Sequence, residues 1–242
     1  MSKTKAFELL RAALPTVSVG VMTANLLSMG SEIALLEGTG AKLAHFDVMD
    51  GCYIPMMTMG PPFVRAIKTS LLKDVHLMIQ DPLEKVAEYV AAGADLVTIH
   101  PEACPQVHRV LQKLGGLTNA NDPERGIVRA VALNPSTPLE ILEPLLEEIE
   151  MVSLLAVNPG WGGQKYIPAT DRRIDRVRRM IADSGRKIVL CVDGGITKDN
   201  IGAVAAAGAE LIVAGSAIFD GKTPEANARF MLETVASSNS WR

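Results

Sequence analysis

Apolar residues in this chain fall into short unbroken runs rich in Val, Ile, Leu and Ala, and between these runs lie longer stretches with helical spacing. The continuous runs fit strands buried on both faces, and the spaced stretches fit amphipathic helices. The pattern predicts strands over 17–22, 43–51, 73–78, 95–100, 127–133, 151–157, 187–193 and 210–214. Helices are predicted over 25–40, with Asn25 as its cap, and over 62–69, 82–92, 103–114, 138–148, 170–183, 198–207 and 224–235. Residues 1–15 read as a further short helix, carrying Phe7, Leu9, Leu10 and Leu14 and stopped by Pro15. The most polar stretch, 115–126, reads as a surface loop.

Eight strand-helix units in strict alternation require right-handed parallel crossovers. At 242 residues they close most naturally into one α/β domain, a single (β/α)8 TIM barrel spanning 1–242. The segment 1–15 is then a short N-terminal helical extension over the barrel bottom. Any side chain at the C-terminal end of a strand faces the mouth.

Composition agrees with this picture and removes some functions. The chain is 48% hydrophobic but only 4% aromatic, so its core must be built from aliphatic side chains. Its 24 basic and 27 acidic residues are interleaved, for a net charge of -3, which gives no basis for binding nucleic acid or an anionic membrane. Cys52, Cys104 and Cys191 are far apart and form no metal-type spacing, which fits a reducing, cytoplasmic setting. The first 14 residues hold no long apolar segment, and no run approaches about 18 apolar residues. A soluble, unexported protein is expected.

The candidate chemistry lies at strand ends. In Leu43-Ala44-His45-Phe46-Asp47-Val48-Met49-Asp50-Gly51, alternation places His45 and Asp47 on one face. His76 in the third strand and Asp193 in the seventh end similar runs. Two imidazoles and two carboxylates suit one divalent ion such as Zn, Fe, Mn or Co, and the spacing does not choose among them. The plainer reading is a set of His-Asp contacts plugging the barrel top. Glycine-rich turns follow strands six, seven and eight, at Gly160-Trp161-Gly162-Gly163, Gly194-Gly195 and Gly215-Ser216. Such turns let backbone N–H groups approach a phosphate. Two carboxylates near a metal, across from a phosphate anchor, form a device for moving a proton beside a carbonyl, and inverting a carbon needs one group on each face. The arginines 172, 173, 176, 178 and 179 read as a solvated helix face. His100 and Glu102 read as supporting polar groups at the mouth, His108 as structural or exposed, and Asp50 as organising its turn.

The motifs His45-Phe46-Asp47-Val48-Met49-Asp50-Gly51, Val75-His76-Leu77-Met78, Val157-Asn158-Pro159-Gly160-Trp161-Gly162-Gly163-Gln164, Val192-Asp193-Gly194-Gly195 and Ala214-Gly215-Ser216 occur in order. Over nearly its whole length the chain resembles the ribulose-phosphate 3-epimerase family. The resemblance implies that His45, Asp47, His76 and Asp193 are metal ligands, with Asp47 the proton acceptor and Asp193 the donor for one direction at C3. It implies substrate contacts at His76, Gly160, Trp161, Gly162, Gly163, Asp193, Gly194, Gly195, Gly215 and Ser216, the glycines and Ser216 holding the phosphate end. Met49 and Met78 match methionines beside the reacting carbon, and equally suit barrel packing. The expected partner is a phosphorylated ketose, and a homo-oligomer is expected.

Three positions depart from the family pattern. Gly20 stands where the family has a substrate-contacting serine, Cys52 where it usually has a histidine, and Leu155 near the site of a third methionine. Gly20 keeps open a 3-epimerase acting on another ketose phosphate, such as D-allulose 6-phosphate or a four-carbon sugar phosphate. A phosphate-binding barrel lyase would need a lysine beside His45, Asp47 or His76, and none is there. A non-catalytic phosphosugar-binding protein would have no use for all four ligand positions.

Overall fold

The computed structural model describes residues 5–238. Its eight strands are β1 (Thr16–Gly20), β2 (Leu43–Met49), β3 (Leu72–Met78), β4 (Leu96–Ile99), β5 (Val128–Leu133), β6 (Met151–Leu155), β7 (Val189–Asp193) and β8 (Leu211–Ala214). All pair in parallel, each with its sequence neighbours, and β8 returns to β1 to close the barrel. The helices are α1 (Lys5–Ala13), α2 (Met29–Glu37), α3 (Pro61–Ala66), α4 (Val86–Ala91), α5 (Val107–Gly115), α6 (Ala169–Ser184), α7 (Ile201–Ala207) and α8 (Pro224–Ser237). The chain is therefore the expected (β/α)8 TIM barrel.

Period-two alternation divides the strand residues into two sets. Val17 and Val19, Ala44, Phe46 and Val48, Val75 and Leu77, and their equivalents on the other strands pack outward against the helices. Leu43, Leu72, Leu96, Val128, Met151, Val189 and Leu211 form a second, inner cluster at the barrel bottom. Ala6 and Leu10 of α1 join that inner cluster with no exposed surface, so α1 seals the bottom as its apolar spacing implied. Leu9 points away and is 47% exposed. The first four residues of the predicted 1–15 helix lie outside the described residues.

The polar 115–126 loop is tied to the same end. Asp95, fully buried, accepts hydrogen bonds from the backbone N–H of Lys73 (2.9 Å), from Asn119 (2.9 Å), from Asn121 (3.4 Å) and from Arg125 (2.9 Å). The Ala6 N–H donates to the Arg125 carbonyl, joining loop and α1.

Several predicted elements are shorter or tighter than the pattern suggested. Residues 138–148 do not form an α-helix but a 3-10 segment, Leu139–Leu145. Pro144 inside it has no N–H to donate and would clash with the carbonyl four residues back in an α-helix. The 25–40 helix opens as a 3-10 turn, Leu26–Ser28, where the Asn25 side chain accepts the Leu27 N–H, and becomes α-helical only at Met29. Strand one ends at Gly20 and the chain turns through 3-10 residues Val21–Thr23. The arginine-rich helix is less bare than expected. Arg173 donates to the carbonyls of Thr137 (2.7 Å) and Asn134 (3.1 Å), and so clamps the turn after β5.

Candidate active site

Parallel register builds the site. In the pairing of β2 with β3, Asp47 lies beside His76 and His45 beside Asp74, and in that of β6 with β7, Asp193 lies beside Leu155. All of these side chains belong to the inward-facing set, His45 and Asp74 one inward position above the apolar bottom and Asp47, His76, Leu155 and Asp193 two. A single atom from each of His45, Asp47, His76 and Asp193 falls within 4.8 Å of the others. The Nε2 of His45 is 3.2 Å from Asp47 Oδ1 and 3.8 Å from Asp193 Oδ2. The Nδ1 of His76 is 3.3 Å and 3.4 Å from the same two oxygens.

The point where these atoms converge favours positive charge. Burial works against protonation of His45, yet the Asp74 and Asp47 carboxylates hold its pKa well above the usual value. Burial likewise opposes charge on His76, and Asp193 and Asp47 still push it up to about 9. Asp47 is held below the ordinary carboxylate range, the His45 charge outweighing the cost of burial.

Two borderline nitrogens and two carboxylates are the donor set of a first-row divalent cation. A second observation fits the same occupant: His76 Nδ1 is buried without any hydrogen-bond partner, although it faces two carboxylate oxygens. The four residues can hold a metal ion.

Each ligand-type histidine is gripped from behind. Asp74, fully buried, accepts from His45 Nδ1 at 2.8 Å and from the Ser18 hydroxyl at 2.8 Å on the same oxygen. His76 Nε2 meets His100 Nε2 at 2.9 Å, and His100 Nδ1 faces Glu102 at 3.3 Å. Burial holds His100 below its ordinary pKa. Glu102 is brought down to about 2, burial being outweighed by His100, Thr137 and Asn134. Sequence reasoning passed over Asp74 and Ser18. The signal for Asp74 was available, since Asp74 and His76 repeat the one-face spacing of His45 and Asp47. Nothing in the sequence pointed to Asn134, Thr137 or Arg173.

A cleft opens above the cluster, lined on one side by Asp47, His76, Asp193, Met49 and Met78 and on the other by the glycine-rich turns. Gly160, Trp161, Gly162 and Gly163, Gly194 and Gly195, and Gly215 and Ser216 all line it, as do Gly20, Thr23 and Leu155. Gly194 and Gly195 are required by shape: both have positive φ, and a Cβ on them would lie 2.3 Å from Val157 Cγ2 and 2.6 Å from the Tyr166 backbone. Among the lining residues there is no Lys or Arg.

Met49 and Met78 are register partners, 7% and 2% exposed, and form a small apolar group with Ile54, Met22 and Tyr53, of which Met22, Met49 and Met78 line the cleft. Cys52 is exposed and is not among the lining residues, so the departure at that position does not alter the cleft wall. Asp50 organises its turn, accepting the N–H groups of Cys52, Tyr53 and Gln80. His108 is outside the cleft, half exposed, 3.6 Å from Glu148. No helix among the described residues is long and apolar enough to cross a membrane.

The profile of the family described as "Ribulose-phosphate 3 epimerase family" matches residues 16–219. A ribulose-phosphate 3-epimerase of Bacillus subtilis is 40% identical over 206 residues, covering 84% of this chain and 91% of that protein. One of Escherichia coli K12 is 40% identical over 207 residues, covering 84% and 88%. Among solved structures, KGPDC from Streptococcus mutans superposes with a TM-score of 0.67 at 17% identity, covering 95% of this chain and all of that one, a likeness of fold.

Proposed function

Since the chain belongs to the ribulose-phosphate 3-epimerase family, we propose that it interconverts D-ribulose 5-phosphate and D-xylulose 5-phosphate by moving a proton at C3. The observation that carries this reading is the meeting of two carboxylates from well-separated strands with two imidazoles, opposite a glycine-lined wall. Inversion at carbon needs a base on one face and an acid on the other. Asp47 on β2 takes the C3 proton and Asp193 on β7 delivers one to the opposite face; in the reverse direction they exchange roles. His45, Asp47, His76 and Asp193 would hold the divalent ion, of the Zn, Fe, Mn or Co class, which supplies electrophilic polarisation of the C2 carbonyl.

The remaining cleft residues bind and shield. Backbone N–H groups of Gly160 to Gly163, Gly194, Gly195, Gly215 and Ser216 receive the phosphate, and Trp161 closes the rim above it. Met49 and Met78 keep water from the reacting carbon, which protects the intermediate from stray protonation. The same proposal places the protein in the cytoplasm as a homo-oligomer: its three cysteines are free, and Leu27 and Met57, 99% and 80% exposed, offer bare apolar side chains for a partner copy to cover.

Gly20 favours a second reading, the same reaction on another ketose phosphate such as D-allulose 6-phosphate or a four-carbon sugar phosphate. It leaves the cleft edge without the hydroxyl expected there. One experiment tests both: proton NMR of four-, five- and six-carbon ketose phosphates with metal-loaded protein in D2O, following deuterium entry at C3 and appearance of the epimer. Exchange strongest on ribulose 5-phosphate supports the first reading, and exchange confined to another sugar supports the second. Absence of exchange on every member of the panel rejects both.

A further inference from the structure

His76 lacks what His45 has, a carboxylate directly behind its ring. We propose that His100 and Glu102 form a two-residue relay that keeps the proton of His76 on Nε2 and so presents a bare Nδ1 to a metal ion. Both are positioning residues, and the inference rests on the epimerase reading only for its expectation that a divalent ion sits at this cluster.

The direction of the relay follows from which groups can donate. The Oε1 of Glu102 accepts the Asn134 backbone N–H at 2.8 Å and the Thr137 hydroxyl. That leaves Oε2 to face His100 Nδ1 at 3.3 Å. An ionised carboxylate only accepts, so the hydrogen between them belongs to His100 Nδ1. His100 is fully buried, and a buried neutral ring has one proton. Its Nε2 is then an acceptor, and the donor 2.9 Å away is His76 Nε2. With one proton committed to Nε2, the second proton that Asp47 and Asp193 favour on the metal-free ring sits on Nδ1, and it is this one that a metal ion displaces.

Among the described residues His76 Nδ1 is the buried ring nitrogen without a well-formed hydrogen bond. A ring nitrogen between two carboxylate oxygens is a position for a cation, a proton on the metal-free ring or a metal ion in its place. The relay is anchored from outside the barrel as well. Arg173 of α6 holds the carbonyls of Asn134 and Thr137, the two residues whose N–H and hydroxyl fix Glu102. Among the described residues the other group against His100 Nδ1 is the Tyr53 hydroxyl at 3.3 Å, which accepts from the Asn134 amide at 2.7 Å. Tyr53 is the competing donor: were it to give its proton to Nδ1, the relay would run backwards and fill His76 Nδ1 with a proton.

Glu102→Gln should force that reversal. Its amide oxygen stays with the Asn134 N–H and the Thr137 hydroxyl, so its NH2 group faces His100 Nδ1 and the ring proton moves to Nε2. Cobalt(II) affinity, measured by titration calorimetry on the whole protein, is expected to fall about 10- to 100-fold, the usual cost of losing an outer-shell partner. Histidine 15N spectra of the zinc-loaded protein are expected to show the His100 proton on Nδ1 in the parent and on Nε2 in the variant. Glu102→Gln in a His100→Gln background should bring no further loss, because the effect passes through His100. Tyr53→Phe, which removes the competing donor, should leave affinity unchanged.

Parent-like cobalt affinity in folded Glu102→Gln, an unmoved His100 proton, losses that add in the double variant, or a parent protein that binds no cobalt would each overturn the relay. The epimerase reading fails separately. A parent that binds cobalt with the tautomers above but exchanges no ketose phosphate keeps the relay and loses the reaction.

Discussion

Replacing Gly20 by serine tests substrate choice at the one position where the cleft departs from the family in a group that would touch substrate. Gly20 has φ -69° and ψ 112°, a conformation any residue adopts. A Cβ there would lie 3.4 Å from Gly215 Cα and 3.6 Å from Gly215 N, ordinary contact with the turn proposed to hold phosphate. Gly20→Ser should therefore fold, and restricting the unfolded chain should leave its melting temperature level or slightly raised. The new hydroxyl enters the cleft beside Gly215 and can form one neutral hydrogen bond to a pentulose phosphate, worth about 0.5–1.5 kcal/mol net. At about 1.4 kcal/mol per decade, kcat/KM for ribulose 5-phosphate relative to a six-carbon ketose phosphate should rise about 2- to 12-fold. Gly20→Ala supplies the Cβ without the hydroxyl and separates volume from hydrogen bonding. A coupled assay across the substrate panel reads all three proteins. An unchanged ranking in Gly20→Ser, or the same change in Gly20→Ala, would refute the hydroxyl argument.

Asp193→Asn should keep a metal ion at reduced affinity and lose epimerisation, while Asp47 still washes deuterium into C3 of one epimer; residual product formation within about tenfold of the parent would remove Asp193 from the donor role. Asp95→Ala strands the buried Lys73 N–H and one Asn119 N–H. At about 1–3 kcal/mol per orphaned group, it should lower the melting temperature by at least about 5 °C, and a drop below 2 °C would show that water or the loop replaces the carboxylate. Glu102, depressed to about 2 from the ordinary 4.5 of a glutamate, stabilises the fold fully above pH 4.5, and that contribution is lost as pH falls through 2. The stability gap between the parent and Glu102→Gln should therefore shrink over that window in acid titrations, and a constant gap would contradict the assignment.

Hydrophobic pattern alone was enough for the barrel, because eight apolar runs with the right spacing admit few closed parallel sheets. The four cluster residues were legible for the same reason: alternation fixes which side chains face inward, and strand ends fix their height. What the pattern could not reveal was contact between elements distant in sequence. Arg173 looks like a solvated arginine because helical spacing does not disclose that the turn after β5 leaves two carbonyls within its reach. Asp74 is passed over in the sequence because a carboxylate below the mouth has no evident use until His45 is seen resting on it. The 3-10 segment Leu139–Leu145 was misread as α-helical because its leucines keep a workable spacing while Pro144 forbids the matching hydrogen bonds.

The proposed phosphate cradle has no Lys or Arg among its lining residues, in a chain of net charge -3, and this has consequences for the speed of encounter. A dianion approaching it meets no lining side-chain cation, so association is expected toward the weakly steered range of about 10⁵–10⁶ M⁻¹s⁻¹, with only a weak dependence on ionic strength. Substrate and product of an epimerisation have the same phosphate. A grip made of short-range backbone dipoles lets either sugar depart once the proton has moved, where a lysine clamp would delay both.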